Sequence, residues 1–220
     1  MEDNFRQVSL FRNIPAAELK KLAPSCELRC FRRGDVLFKE GDQAAWIWIV
    51  QKGWVYLVKR TTQGEFATIF AVTPKDALCG ISAMDQRVYS LGAIAATETQ
   101  LIKVPAAVFS QLLEHHPKFC HQVLLACCNR MRDMAEAISM APAPAAKHMA
   151  YTLLRLRSTF GNTIPVTHHE LARMAGIRWE TSIRNLSQMK RRGWIASSRG
   201  KVTVLGADGL RGLLSQNSKL

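Results

Sequence analysis

The stretch that decides the fold runs Thr167-His-His-Glu-Leu-Ala-Arg-Met-Ala-Gly-Ile-Arg-Trp-Glu-Thr-Ser-Ile-Arg-Asn-Leu-Ser-Gln-Met-Lys-Arg-Arg-Gly-Trp-Ile195. Thr167 followed three places later by Glu170 predicts a helix N-cap closed as a capping box. Leu171, Met174 and Ala175 fall on the side of that helix expected to face inward, and Ala172 is small enough for a second helix to cross closely. Gly176 ends the helix, because the tight turn there needs a residue at ease at positive φ. A second helix starts after Ile177 and stops at Gly193. On it, Ile183, Leu186 and Met189 are expected to form the buried stripe. Glu180, Arg184, Ser187 and Arg191 share another face at three- and four-residue steps. The run Trp194-Ile-Ala-Ser-Ser-Arg-Gly-Lys-Val-Thr-Val-Leu then reads as strand, glycine turn, strand, which is a wing.

The second helix of such a pair can lie in the major groove of DNA, where Arg donates in bidentate fashion to guanine and Glu accepts from the cytosine amino group. The competing reading of Glu180 and Arg184 is an i, i+4 ion pair on a solvated face. Charge favours the first reading. The chain carries 30 Lys and Arg against 17 Asp and Glu, a formal net charge of +13. Between Lys147 and Lys201 there are eleven basic residues and only two acids, Glu170 and Glu180. An excess so placed suits a polyanion, because neutralising phosphates releases condensed counterions.

Upstream, Ala141-Pro-Ala-Pro-Ala-Ala cannot continue a helix and reads as a hinge, followed by a helix from Ala146 to Phe160. Before the hinge, Pro117 opens a helical run to about Met140, more than about 30 Å long at 1.5 Å per residue. Phe119, Val123, Ala126/Cys127, Arg130, Met134 and Ala137/Ile138 recur along it at every third or fourth place. That stripe predicts packing against a second copy of the chain, or else against the chain's own N-terminal domain. Pro105 to Leu113 reads as a short helix. From about Glu27 to Val104 short β-rich runs (Val36-Leu-Phe, Trp46-Ile-Trp-Ile-Val, Val55-Tyr-Leu-Val, Ala67-Thr-Ile-Phe, Gln100-Leu-Ile-Lys-Val) alternate with turn signals at Gly34, Gly41, Gly53, Gly64 and Pro74. Many short strands at regular intervals predict a barrel or sandwich. Residues 9 to 23 form a helical lead-in around Pro15.

The acidic start lacks the apolar core of a signal peptide, and no apolar run approaches the roughly 18 residues that span a bilayer. A cytoplasmic protein with no membrane partner is expected, its six cysteines reduced and not paired in disulfides. No Ser/His/Asp, HExxH, P-loop or CxxC arrangement suggests an enzyme.

With these residues in view, the chain resembles the family of the cAMP receptor protein and the fumarate-nitrate regulator (CRP/FNR) along nearly its whole length. The resemblance rests on Arg33-Gly-Asp-Val-Leu-Phe-Lys-Glu-Gly-Asp, on Ile49-Val-x-Lys-Gly-Trp-Val, on the long helix, and on Glu180-Thr181-Ser182-Ile183-Arg184, which matches the recognition pattern Glu-Thr-x-x-Arg. It implies an α+β chain. Residues 1–116 would form a double-stranded β-helix (jelly roll) of the cyclic-nucleotide-binding type, 117–141 a dimerisation helix and 142–220 a winged helix-turn-helix. It also implies a homodimeric transcription regulator reading a palindromic operator in double-stranded DNA, with RNA polymerase as a further partner if it activates. Glu180 and Arg184 would read bases. Thr167, His168 and Thr181 match positions that touch phosphate, and Arg178, Trp179, Ile183, Ser187 and Lys201 complete the expected DNA-facing set. Trp179 departs from both branches of the family, which leaves the outer base pairs open.

The sensing site departs further. The family's nucleotide cassette has Gly-Glu-Leu and then Arg-Ser; here the corresponding residues are Cys79-Gly80-Ile81-Ser82 and Tyr89-Ser90. The Thr-Ser pair that contacts adenine corresponds to Met134-Ala135. A buried phosphate without its cation is strongly unfavourable, so cAMP is not the expected effector. Only Cys26 and Cys30 lie near the N-terminal positions that hold an iron–sulfur cluster, too few for four-thiolate ligation. Cys79 occupies the place of a haem-ligating cysteine in CO-sensing members, with His115, His116, His121, Met84 or Tyr89 as the second ligand; the alternative is an ordinary buried thiol. A haem-based CO or NO sensor using the same DNA module is thus the alternative function, and the effector pocket is expected around residues 79–82, Tyr89, Ser90, Arg130 and Met134. Cys120, Cys127 and Cys128 are expected to be small core hydrophobes. A ligand near Arg130 and Met134 would act by shifting the long helix and reorienting the DNA domains about residues 141–146.

Overall fold

The computed structural model describes residues 5–6, 8–60, 64, 66–74, 76–78, 82, 84–85 and 87–215. The chain divides into two compact units, Met1–Asp133 and Met134–Leu220.

The first unit is a two-layered antiparallel roll. Its strands are β1 (Glu27–Phe31), β2 (Val36–Phe38), β3 (Trp46–Lys52), β4 (Val55–Arg60), β5 (Phe66–Val72), β6 (Ala77–Leu78), β7 (Gly92–Ala95) and β8 (Thr99–Pro105). One sheet has the order β1-β8-β3-β6 and the other β2-β7-β4-β5. The unbroken apolar run of β3 has a simple cause, since this strand is covered on both faces. Trp48 and Val50 point into the roll with Phe38, Leu57 and Leu101. Ile47 and Ile49 point the other way, toward Phe11, Leu19, Ile102, Val104 and Phe109. Every glycine predicted to turn the chain between strands has positive φ, and Gly53 shows why. At φ +74°, an added Cβ would lie 2.3 Å from the carbonyl oxygen of Glu98. Strands β1, β6 and β7 were not legible in the sequence. β6 has two residues, and β7 (Gly-Ala-Ile-Ala) has almost no side chain to alternate.

Helix α1 (Ala16–Leu22) precedes the roll, and α2 (Ala106–His115) and α3 (Pro117–Met140) follow it. The stripe read along α3 divides: its first part turns to the unit's own core, the alternative weighed above, while Met134 and Ile138 on its second part are exposed. Phe119 and Val123, with Cys127 half-buried beside them, belong to the unit's own core, where Phe119 lies 5.3 Å from Phe11 and 5.2 Å from Phe109 between ring centroids. Among the exposed residues of α3, Leu124, Cys128, Met131, Ala135 and Ile138 form a line spaced four, three, four and three residues apart. Met131 and Ile138 are 69% and 71% exposed. Cys128 is thus on the surface and not in the core, because it follows the 4-3 seam while Cys127 follows the inner face.

The second unit holds α4 (Ala145–Phe160), β9 (Thr163–Ile164), α5 (His168–Met174), α6 (Trp179–Arg191), β10 (Ile195–Ser198), β11 (Lys201–Val204) and α7 (Ala207–Ser215). Helix α6 packs on α4 and α5. The wing has a third strand unseen in the sequence, since β9 pairs with β11 to give the order β10-β11-β9. Trp194 anchors the wing to α7 so closely that a Cβ on Gly209 would lie 2.2 Å from the indole nitrogen.

Candidate nucleic-acid interface

The predicted cap exists in full. The Thr167 hydroxyl accepts from the Glu170 amide at 3.2 Å, and the Glu170 carboxylate accepts from the Thr167 amide and hydroxyl, both at 2.8 Å. The Thr167 hydroxyl and amide are both committed to the cap, so any phosphate contact there falls to neighbouring His168, which is half-buried. Leu171, Ala172 and Ala175 are buried and Met174 half-buried, as the helix period requires. Gly176 leaves the helix at φ +63° and delivers the chain to α6.

On α6 the inward stripe is Ser182, Leu186 and Met189, one residue out of register with the expectation at its first position. Ser182 is fully buried while Ile183 is 40% exposed. A helix crossing both α4 and α5 closely has room for a hydroxymethyl group but not for a sec-butyl group, so the small residue takes the inside position. The outward face carries Arg178, Trp179, Glu180, Ile183, Arg184, Ser187 and Arg191, all exposed, with Thr181 half-buried among them. Among the described residues no ion pair engages Glu180 or Arg184, so the intrahelical pair weighed against base reading does not form. Arg184 Nη2 instead lies 3.4 Å from the Thr181 hydroxyl, and Thr181 O accepts from Asn185 Nδ2 at 2.8 Å.

The charges around this face are of one sign. Arg178, Lys190, Arg191, Arg192, Arg199 and Lys201 are exposed, the last two at the wing turn closed by Gly200. Glu180 is the only acid from Arg178 to Lys201. One further residue belongs to the site and was not read from the sequence. The His169 ring, on the first turn of α5, lies 5.5 Å from the Trp179 ring and supports it. Only the crossing of α5 and α6 brings them together, so no sequence spacing signals it.

The described members of the predicted effector pocket have different surroundings. Cys79, Gly80 and Ile81, with the haem-ligand reading of Cys79, lie outside the described residues. Ser82 is buried and Ser90 exposed. Tyr89 is 3% exposed inside the roll. Its ring stacks 3.9 Å from Phe38, its hydroxyl donates to Trp46 O at 2.7 Å, and Trp48 Nε1 donates to that hydroxyl at 3.3 Å. Arg130 covers the Phe70 ring at 4.7 Å and lines a groove of about 240 Å³ with Asp76, Gln122, Asn129 and Asp133. Among the described residues of the first unit, Ser82, Tyr89 and Ser90 do not line that groove. Met134, on the second unit, is exposed. Among the described residues no group of three or more His, Cys, Asp or Glu side chains is placed to hold a metal ion, and no helix is long and apolar enough to cross a membrane.

The sequence profile of the cyclic nucleotide-binding domain matches residues 28–116, and that of the Crp-like helix-turn-helix domain matches residues 147–213. The chain is 25% identical to the cyclic AMP receptor protein of Thermus thermophilus over 197 residues, covering 89% of this chain and 91% of the relative. It is 23% identical to the transcriptional activator protein FnrA of Stutzerimonas stutzeri over 191 residues, covering 83% and 78%. The structure of FixK2 from Bradyrhizobium japonicum superposes with a TM-score of 0.77 at 16% identity, over 86% of this chain and 96% of that one, a likeness of fold.

Proposed function

The chain belongs to the CRP/FNR family of transcription regulators, and from that premise we propose that it works as a homodimer whose two α6 helices read a palindromic operator in duplex DNA. The observation that carries the reading is the outward face of α6, where Glu180 and Arg184 stand exposed and free of each other amid basic side chains. Arg184 offers a planar pair of donors suited to guanine O6 and N7, and Glu180 an acceptor suited to a cytosine amino group. Arg178, Thr181, Ser187, His168 and the wing's Lys201 frame these readers and serve the phosphates and sugar edges, with the amide of Thr167 already spent on its cap. The long helix α3 supplies the two-fold seam through Leu124, Cys128, Met131, Ala135 and Ile138, whose 4-3 spacing is that of a coiled coil.

The signal that the dimer answers is not cAMP. Tyr89 stands in the position of the family's phosphate-binding arginine, and its phenol is already packed on Phe38 and bonded to Trp46 and Trp48. A cyclic phosphate there would meet a ring instead of a cation.

Selection of sites from random duplex DNA, followed by titration with Arg184→Ala, tests the DNA reading. The wild-type protein is expected to select a palindrome. The variant is expected to lose about 1–3 kcal/mol per half-site and keep only weak, salt-sensitive binding. Unchanged affinity and site choice in the variant would remove Arg184 as a reader.

A further inference from the structure

Two large apolar side chains stand on the reading face, and the reading by Glu180 and Arg184 does not use them. Trp179 and Ile183 are each 40% exposed. They are four residues apart, so they stack along one line of α6, about 6 Å apart in rise. The line Glu180–Arg184 lies one residue further round, so the apolar and polar pairs run side by side on the same face. Trp179 is held from below by the His169 ring. Ile183 is β-branched and stiff at χ1 within a helix, so its methyl groups point in a fixed direction. This apolar strip is flanked in sequence by the exposed Arg178 and Arg184.

A protein partner suited to this strip would need to be acidic and apolar at once. The DNA major groove meets both demands, because its phosphates match the basic surround and its one apolar feature is the thymine C5-methyl group. We infer that the Trp179–Ile183 strip recognises a thymine methyl in each half-site, at a base pair beside those read by Glu180 and Arg184. The inference rests on the DNA reading above and specifies the base chemistry of one further position. Ile183 makes the methyl contact, and Trp179, propped by His169, closes the strip against water. A cytosine at that position lacks the methyl group and exposes the strip to solvent.

The test uses the full chain and the operator selected from random DNA, with each thymine replaced in turn by deoxyuridine. Uracil keeps every hydrogen-bonding group of thymine and removes only the methyl. One position per half-site is expected to weaken binding about fourfold on substitution, the transfer free energy of one buried methyl, and about 15-fold when both half-sites carry it. Ile183→Ala is expected to bind the thymine and uracil operators equally, at about the wild-type affinity for uracil. Ile183→Val should retain part of the discrimination. Since Ile183 is outside the core, thermal melts of these variants should match wild type. The inference is overturned if no thymine is sensitive to uracil, or if the penalty is unchanged in both Ile183→Ala and Trp179→Ala. If the protein selects no palindrome at all, the DNA reading fails and this inference with it; a selected palindrome blind to uracil sinks the inference alone.

Discussion

Ser182 and Cys26 are small polar side chains held in apolar surroundings, and each has a measurable consequence. The Ser182 hydroxyl is fully buried and meets no hydrogen-bond partner among the described residues. A hydroxyl so placed carries its desolvation cost without a compensating bond. Ser182→Ala should therefore stabilise the protein by about 1 kcal/mol, raising a calorimetric midpoint by about 2–4 °C. A lower midpoint would mean that the hydroxyl is satisfied in solution. Cys26 is buried, and burial pushes its thiol pKa up to about 11 from 9.0. Because the folded value is raised, the contribution to stability is fully present below about pH 9 and is lost as pH rises through about 11. Cys26→Ala should flatten that alkaline loss in urea titrations at successive pH values. At pH 8 the wild-type thiol should also react with iodoacetamide more slowly than the exposed Cys30, as peptide mapping would show.

At the scale of the element, α3 is the informative case because it has two apolar faces with different uses. Phe119, Val123 and Cys127 close the core of the first unit, and the 4-3 seam from Leu124 to Ile138 is left open to solvent. In a parallel two-fold pair, seam residues meet their own copies across the axis, so Cys128 should face Cys128 of the second copy. Mild oxidation with copper–phenanthroline is expected to yield a covalent dimer, lost in Cys128→Ser and retained in Cys120→Ser. Ile138→Glu, which places a charge on the seam, should shift the species seen by sedimentation from dimer to monomer at micromolar concentration. A dimer indifferent to both changes does not use this seam. Helix α6 shows the same division in shorter form: its Ser182–Leu186–Met189 stripe is inside, and its reading face is opposite.

For the whole molecule, the question is what the roll answers to. Its interior is occupied by Phe38, Trp48, Tyr89 and Leu101, packed as a hydrophobic core. Operator affinity should therefore be the same with and without millimolar cAMP in a fluorescence anisotropy titration. A gain in affinity on adding the nucleotide would show that Tyr89 yields its place. The groove beside Arg130 is open and mostly polar, and Asp76 and Asp133 share its lining. Such a lining disfavours a bare anion.

Much of this molecule was legible in its sequence because the deciding signals are local. A capping box is made by residues three apart, a glycine turn by one residue, and a helix or strand by its own period. These determined the helix-turn-helix, the wing, the long helix and most of the roll, and they put Glu180 and Arg184 on one exposed face. What tertiary structure alone decided is which of two available faces is turned inward. Ile183 has the more apolar side chain, yet Ser182 is buried, because α6 crosses α4 and α5 closely and the smaller group takes the inside position. Met134 and Phe119 fall on the same stripe by spacing, yet only Phe119 meets Phe11 and Phe109. Tyr89 reads as a lost phosphate ligand, but only the folded roll shows it stacked on Phe38 and bonded to Trp48. Each outcome depends on atoms distant in the chain that compete for one close-packed volume, and no local period encodes that competition.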